Sequence, residues 1–194
     1  VKQITSVSDN ESHILSALEE ASARVDLILM TGGLGPTKDD LTKETLCKYF
    51  NTRLIFNQEV YNHIEKIFSH RQLPMLESNR KQAELPENCT IIPNRRGTAA
   101  GMYFVKNNRH YFSMPGVPFE MKTIVSEHIL PLLQSKFKLP VIFHRTILTY
   151  GIGESFLAEK IKEWEMNLPA NIKLAYLPSP EALRLRLTIK GDDK

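Results

Sequence analysis

Two adjacent acids, Asp39 and Asp40, lie just after three closely spaced glycines, Gly32, Gly33 and Gly35, in the stretch Thr31-Gly32-Gly33-Leu34-Gly35-Pro36-Thr37-Lys38-Asp39-Asp40-Leu41-Thr42. Glycine lets backbone N–H groups approach a ligand closely, because no Cβ stands in the way. A helix opening after such a loop adds free N–H groups and a positive dipole end, and both favour phosphate. The T-x-x-D spacing of Thr37 and Asp40 predicts that Thr37 caps that helix. Two carboxylates beside a phosphate would repel it unless a hard cation bridged them. Mg²⁺ is typically held by one or two carboxylates together with substrate phosphates. The pattern therefore points to a metal–nucleotide site. The plainer alternative is two acids enriched in a first helical turn.

Other segments offer weaker chemistry. Met114-Pro115-Gly116-Val117-Pro118-Phe119-Glu120-Met121 is a second strand–loop–helix junction, and such turns are common. Ser78-Asn79-Arg80-Lys81-Gln82 could grip a phosphate or ribose, although a solvated helix face is the commoner meaning. Gly97-Thr98-Ala99-Ala100-Gly101 is a small-residue loop that could meet a ligand or simply turn. Six histidines are scattered without metal-ligand spacing. No nucleophile elbow or Walker loop appears, so serine hydrolase, zinc enzyme and P-loop ATPase drop out.

Composition narrows the class further. The 194 residues carry 25 Lys+Arg against 22 Asp+Glu, with no dense basic run, so nucleic-acid binding is not the default. Apolar stretches such as Val25–Met30 are far too short to span a bilayer. Cys47 and Cys89 lack C-x-x-C spacing, which excludes a disulfide scaffold or cysteine-built zinc site and suits a reduced cytoplasmic protein. The chain opens on Val1 within a strand-like pattern and shows no leader, so an incomplete gene product is expected.

The elements that must position these groups alternate between strand and helix. Val1–Val7 reads as a short strand, and Ser8 or Asp9 caps a helix with Ile14, Leu15, Leu18 and Ala21 inward. Val25–Met30 suits a buried strand. Helices follow over Leu41–Phe50, with Leu41, Thr45, Leu46 and Tyr49 or Phe50 inward, and over Gln58–Phe68. A short helix near Asn79–Ala83 and a strand over Cys89–Ile92 come next. Met102–Lys106 and His110–Met114 flank a hairpin turn at Asn107-Asn108-Arg109, and a helix runs from Phe119 to about Lys136. This is an α/β signature. After a boundary near Lys138–Pro140 comes a strand–helix–strand–strand module: Val141–Tyr150, Glu154–Trp164, Ile172–Leu177 and Leu183–Ile189.

Taken together, the loops resemble one family. The stretch Thr31–Thr42 resembles the G-G-x-G-x4-D-x-T motif of molybdopterin-binding proteins, in the version carried by the CinA (competence/damage-inducible) family. Glu77-Ser78-Asn79-Arg80-Lys81-Gln82-Ala83, Gly97–Gly101 and Pro115–Met121 match in the same order, and Tyr150-Gly151-Ile152-Gly153-Glu154-Ser155 with Leu157-Ala158-Glu159 resembles the start of its KH-type domain. The resemblance implies a three-layer α/β/α molybdopterin-binding-like fold with a mostly parallel sheet over residues 1–138. An α+β KH-type module follows over 139–194, and the family is often dimeric. It also implies a metal-dependent pyrophosphatase that hydrolyses ADP-ribose to AMP and ribose 5-phosphate. Mg²⁺ or Co²⁺ would sit on Asp39 and Asp40, with potassium as a further candidate ion. By position, Gly32, Gly33, Gly35 and Thr37 would cradle phosphate, Thr42 would support the loop, and Asn79, Gly97 and Gly116 would line the other side.

Departures from the family pattern shape the alternative. The strand–helix unit that opens the family, with its G-[DT]-E-L type segment, is absent, and its loss would expose a sheet edge and part of the site. Ala100 replaces the usual proline, and Phe119 replaces a serine hydroxyl. The C-terminal amidase domain and the closing helix of the KH-type module are also absent. Gly151-Ile152-Gly153 is one residue short of the G-x-x-G clamp of RNA-binding KH domains, which argues against RNA. The competing reading is a non-catalytic pterin- or nucleotide-binding or dimerisation module.

Overall fold

The computed structural model describes residues 1–37, 39–138 and 140–191. Lys38 of the glycine-rich stretch, Leu139 at the expected boundary and residues 192–194 of the second module lie outside the described residues. The chain divides into two units, Val1–Leu133 and Gln134–Lys194.

Helix α1 (Glu11–Arg24) begins where the Asn10 side chain accepts the N–H groups of Ser12 and His13. Asn10 therefore takes the capping place expected of Ser8 or Asp9. Then come β1 (Leu27–Thr31), α2 (Thr42–Tyr49), β2 (Leu54–Phe56), α3 (Gln58–His70), α4 (Glu77–Lys81), β3 (Glu84–Pro86), β4 (Thr90–Ile92), β5 (Gly101–Lys106) and β6 (Arg109–Met114). The expected long helix is one helical run, α5 (Pro118–Ile124) and α6 (Leu130–Lys136), joined by a π-turn over Val125–Ile129.

The main sheet has the order β1-β6-β5-β4. Asn107 and Asn108 adopt φ of 52° and 58°, the paired left-handed conformation of a two-residue hairpin turn. That turn makes β5 and β6 antiparallel, and β4 and β5 are antiparallel too. β1 and β6 pair in parallel. The sheet is mixed, and among the described residues its parallel pairing is confined to this ladder, narrower than the mostly parallel sheet expected.

Strand side chains alternate between faces, and each face here finds its own helices. Ile28, Met102, Phe104 and Tyr111 pack with Leu18 of α1, Leu46 and Phe50 at α2, and Ile64 of α3. Phe50 stacks on Phe104 with ring centroids 4.1 Å apart, which seats the end of α2 on the sheet. On the other face, Tyr103, Phe112 and Met114 meet Ile124 and Ile129 of the α5–α6 run. Helix–sheet–helix layering results.

Two readings of the sequence need correction. Val1–Val7 is not a strand: Val1 and Ile4 are exposed, and the segment pairs with no described strand. Its alternation has no neighbour to complete the backbone hydrogen bonds, so the pattern alone cannot make a strand. The reading also missed the short β2–β3 pair, which lies outside the main sheet.

The second unit forms a three-stranded antiparallel sheet ordered β7-β9-β8, from β7 (Val141–Thr149), β8 (Ile172–Pro178) and β9 (Leu183–Gly191). Helix α7 (Glu154–Met166) covers one face through Leu157 against Leu183 and Leu185. Ser179 N–H donates to Ala182 O at 3.0 Å and closes the β8–β9 turn. Among the described residues, no helix is long and apolar enough to cross a membrane.

Phe112 is fully buried between the sheet and the α5–α6 run, whereas Leu29 of β1 is 52% exposed. Phe112→Ala should therefore cost about 3–5 kcal/mol in urea unfolding. Leu29→Ala should stay within about 0.5 kcal/mol of the parent protein.

Candidate functional site

β1 and β6 run side by side in parallel, so their carboxyl ends release two loops at one edge of the sheet. Ligands of open α/β sheets bind at such edges. Here the loops are locked together. Gly32 N–H donates to Met114 O at 3.0 Å, and Thr31 Oγ1 donates to Pro115 O at 3.0 Å. A Cβ on Gly116 would stand 3.4 Å from Gly32 Cα, so the two backbones are in contact.

Glycine is required where the first loop bends. Gly32 and Gly33 have φ of 101° and 66°, and a side chain on Gly33 would strike the Thr42 hydroxyl. That hydroxyl donates to Gly32 O at 3.3 Å, while Thr42 N–H donates to Gly33 O at 3.3 Å. Thr42 thus clasps the glycine loop to the start of α2.

Thr37 does not cap α2, which starts at Thr42 after an N-cap at Leu41 with no side-chain capping bond. Thr37 and Asp40 bond within the loop instead: Asp40 Oδ2 accepts from Thr37 N–H at 2.9 Å and from Thr37 Oγ1 at 2.6 Å. Burial raises the Asp40 pKa, but the Thr37 hydroxyl, the N–H groups of Thr37 and Gly35, and the Lys43 charge together outweigh it. The carboxyl therefore sits below its ordinary 3.8 and is ionised at neutral pH.

Asp39 is exposed beside it. Among the described residues, no group of three or more His, Cys, Asp or Glu side chains converges. An all-protein cage is thus not formed by these residues. A cation held by one or two carboxylates, with phosphate and water completing its shell, suits the adjacent Asp39 and Asp40.

The donors this site could offer an anion are backbone groups. Among the described residues, the N–H groups of Gly33 and Leu34 in one loop, and of Gly116 and Val117 in the other, have no acceptor. Unspent N–H groups on two touching loops are the usual equipment of an anion site. Phe119, in the first turn of α5, is 57% exposed and supplies no hydroxyl there.

The remaining expected residues play supporting parts. A side chain on Gly97 would collide with the Glu120 carboxylate, so the space beside Gly97 is already filled. Asn94, buried, donates through Nδ2 to Glu120 Oε2 at 2.7 Å and to Ala99 O at 2.9 Å, pinning this loop to α5. Asn79, buried, uses its Oδ1 to accept from Leu76 N–H at 3.1 Å at the start of α4. Its segment is tied to α2 by Lys43, whose Nζ donates to Lys81 O at 3.0 Å and to Glu84 O at 3.1 Å. Burial pushes the Lys43 ammonium pKa down, with Glu44, Glu84 and Asp40 working against that shift.

Sequence reasoning missed Lys43, and it took in Gln82 and Glu120 only as members of their motifs. The signal for Lys43 was its spacing: Lys43, Leu46, Cys47 and Phe50 fall on one helical face, and all are buried. Gln82 is buried with Oε1 unpartnered among the described residues, at the end of the segment that Lys43 anchors. Glu120 carried no signal beyond an acid in a first helical turn.

Residues 1–135 match the family model of a probable molybdopterin binding domain, and residues 144–194 match that of the damage-inducible protein CinA KH domain. A CinA-like protein of Flavobacterium psychrophilum is 48% identical over 195 residues, covering 100% of this chain and 47% of that protein. A putative competence-damage inducible protein of Caldicellulosiruptor saccharolyticus is 41% identical, covering 98% of this chain and 46% of that protein. The chain thus spans about half the length of the curated relatives it matches. The crystal structure of the protein CinA, of unknown function, from Thermoplasma acidophilum aligns with a TM-score of 0.57 and 30% identity, over 64% of this chain and 72% of that one.

Gly33→Ala should destabilise the protein by roughly 1–3 kcal/mol, measured by chemical denaturation, since it strains a left-handed residue against Thr42. For Asp40, the folded pKa lies below 3.8, so its contribution to stability is present above that value and is lost as pH falls through the folded pKa. The stability gap between the parent protein and Asp40→Ala should accordingly be constant near neutrality and shrink below pH 3.8 in melts recorded across acid pH.

Proposed function

The chain belongs to the CinA family, and from that premise we propose that it is a nucleotide pyrophosphatase that hydrolyses ADP-ribose to AMP and ribose 5-phosphate. The observation that supports this most strongly is the pair of touching loops at the carboxyl ends of β1 and β6, with unspent N–H groups on both. A diphosphate carries two phosphoryl groups. One can be held by the Gly33 and Leu34 N–H groups and the other by those of Gly116 and Val117.

The reaction adds water across the P–O–P bridge. The water oxygen forms a bond to one phosphorus, the bridging bond breaks, and the other phosphate leaves with the bridging oxygen. Negative charge builds on the non-bridging oxygens as this happens. Fixed N–H dipoles stabilise that charge without having to reorganise.

The lowered pKa of Asp40 supports a role as cation ligand within this scheme. A carboxylate held ionised by Thr37, Gly35 and Lys43 is a weak proton acceptor and a good cation ligand. Asp40 and Asp39 would hold the divalent ion, Mg²⁺ or Co²⁺, which when bound supplies charge neutralisation at the phosphates. Thr37 orients Asp40, and Thr42 holds the glycine loop in its strained form. Neither needs to touch substrate.

The alternative, a module that binds nucleotide without cleaving it, is favoured by Phe119, which brings no hydroxyl to the start of α5. Product analysis after incubation with ADP-ribose and Mg²⁺ or Co²⁺ separates the two. AMP and ribose 5-phosphate should appear in equal amounts. Asp40→Asn should reduce turnover at least a hundredfold, with a cooperative thermal transition showing that the variant still folds. Intact ADP-ribose would support the binding module, and unchanged turnover in the variant would remove Asp40 from the mechanism.

A further inference from the structure

Apart from the glycine loops, a pocket of about 380 Å³ opens between α3 and the turn that follows β4. Lys66, Arg71, Arg95, Arg96 and the imidazoles of His63 and His70 line it, with Ile67 the single apolar member. No acid lines it. Arg95 pairs with Glu127, whereas no ion pair is recorded for Lys66, Arg71 or Arg96 among the described residues. The formal excess for the whole chain is only +3, so this pocket concentrates as many unpaired positive charges as the entire protein carries in surplus.

The pocket is built on a rigid frame. His63, Lys66, Ile67 and His70 recur at helical spacing and share one face of α3, while Val60 and Ile64 anchor the helix in the core. His63 Nε2 donates to Asn94 O at 2.8 Å and to Gly97 O at 3.2 Å, fixing the arginine turn against α3. Asn94 is 3% exposed, and its Oδ1 accepts from Arg96 N–H at 3.1 Å, so the turn is also held from within. Clustering like charges without acids costs stability, and a bound anion relieves that cost.

We propose that this pocket binds a linear oligophosphate, either as the free anion or as the phosphate tail of a nucleotide, at a place separate from the glycine loops. The number of unpaired cations selects this class. Lys66, Arg71 and Arg96 line one pocket without a recorded acid against them among the described residues, more positive charge than one phosphate group neutralises. Arg71 and Arg96 add planar guanidinium forks that match phosphate oxygens. The proposal does not rest on pyrophosphatase activity, and its test does not read turnover.

Calorimetric titration of the protein with sodium tripolyphosphate, ATP and inorganic phosphate tests it. The pocket predicts binding of tripolyphosphate that weakens with added salt, and at least tenfold weaker binding of inorganic phosphate. Arg71→Ser combined with Arg96→Ser should raise the Kd for tripolyphosphate at least tenfold, and Arg24→Ser, on α1, should leave it unchanged. A matching loss for ATP assigns recognition to the phosphate chain of a nucleotide as well, and a loss for tripolyphosphate alone assigns it to the free anion. No binding of either compound, equal affinity for inorganic phosphate, or a double variant within twofold of the parent protein would overturn the proposal. Both arginines are exposed, and an unchanged thermal melt verifies that the double variant folds.

Discussion

The parallel ladder between β1 and β6 is the constraint on which the rest of the first unit depends. Parallel strands end at the same edge, so their following loops must meet, and here they meet backbone to backbone at Gly32 and Gly116. The hairpin at Asn107-Asn108 sets the register of β6 against β5, and the two helical layers hold the sheet from either face. Bulk at the contact would push the loops apart. Chemistry at this edge is therefore inherited from packing, because the N–H groups that remain unspent are those the ladder and its first contacts do not use.

Around that contact, polar groups spend their bonds on shape. Thr42 clasps the bend at Gly32 and Gly33, and Thr37 holds Asp40. Lys43 reaches from α2 to the backbone at Lys81 and Glu84, and Asn94 links the Gly97 loop to Glu120. Each bond satisfies a buried or half-buried group that would otherwise cost stability. What is left for a ligand is one ionised acid, a second exposed acid, and backbone donors. That inventory suits phosphate chemistry better than acid–base chemistry on the protein's own side chains.

The positions of the glycine loop, of most helices and of the β5–β6 hairpin were legible in the sequence, since each rests on local pattern or turn chemistry. The loop's interior was not. T-x-x-D reads as a capping box, yet the same atoms satisfy each other in a turn, and α2 starts later at Thr42. Local spacing cannot distinguish these, because both place a carboxylate on the Thr37 N–H. Val1–Val7 failed for the opposite reason: strand pattern is only half of a strand, and the partner is not local. Asn79 was assigned to the pocket by motif order, and the bond it makes through Oδ1 to Leu76 N–H carries no signal in the sequence. The basic pocket escaped because its cations come from α3 and from the turn at Arg95-Arg96, segments far apart in sequence, so no basic run announces it.

The central claim is that two loops act together on one diphosphate. Backbone amide NMR of the protein during titration with a non-hydrolysable methylene-bridged analogue of ADP-ribose in the presence of Mg²⁺ tests it most directly. The account predicts concerted shifts of the Gly33, Leu34, Gly116 and Val117 N–H signals, with one common affinity. Shifts confined to one loop, or absent from both, would contradict it.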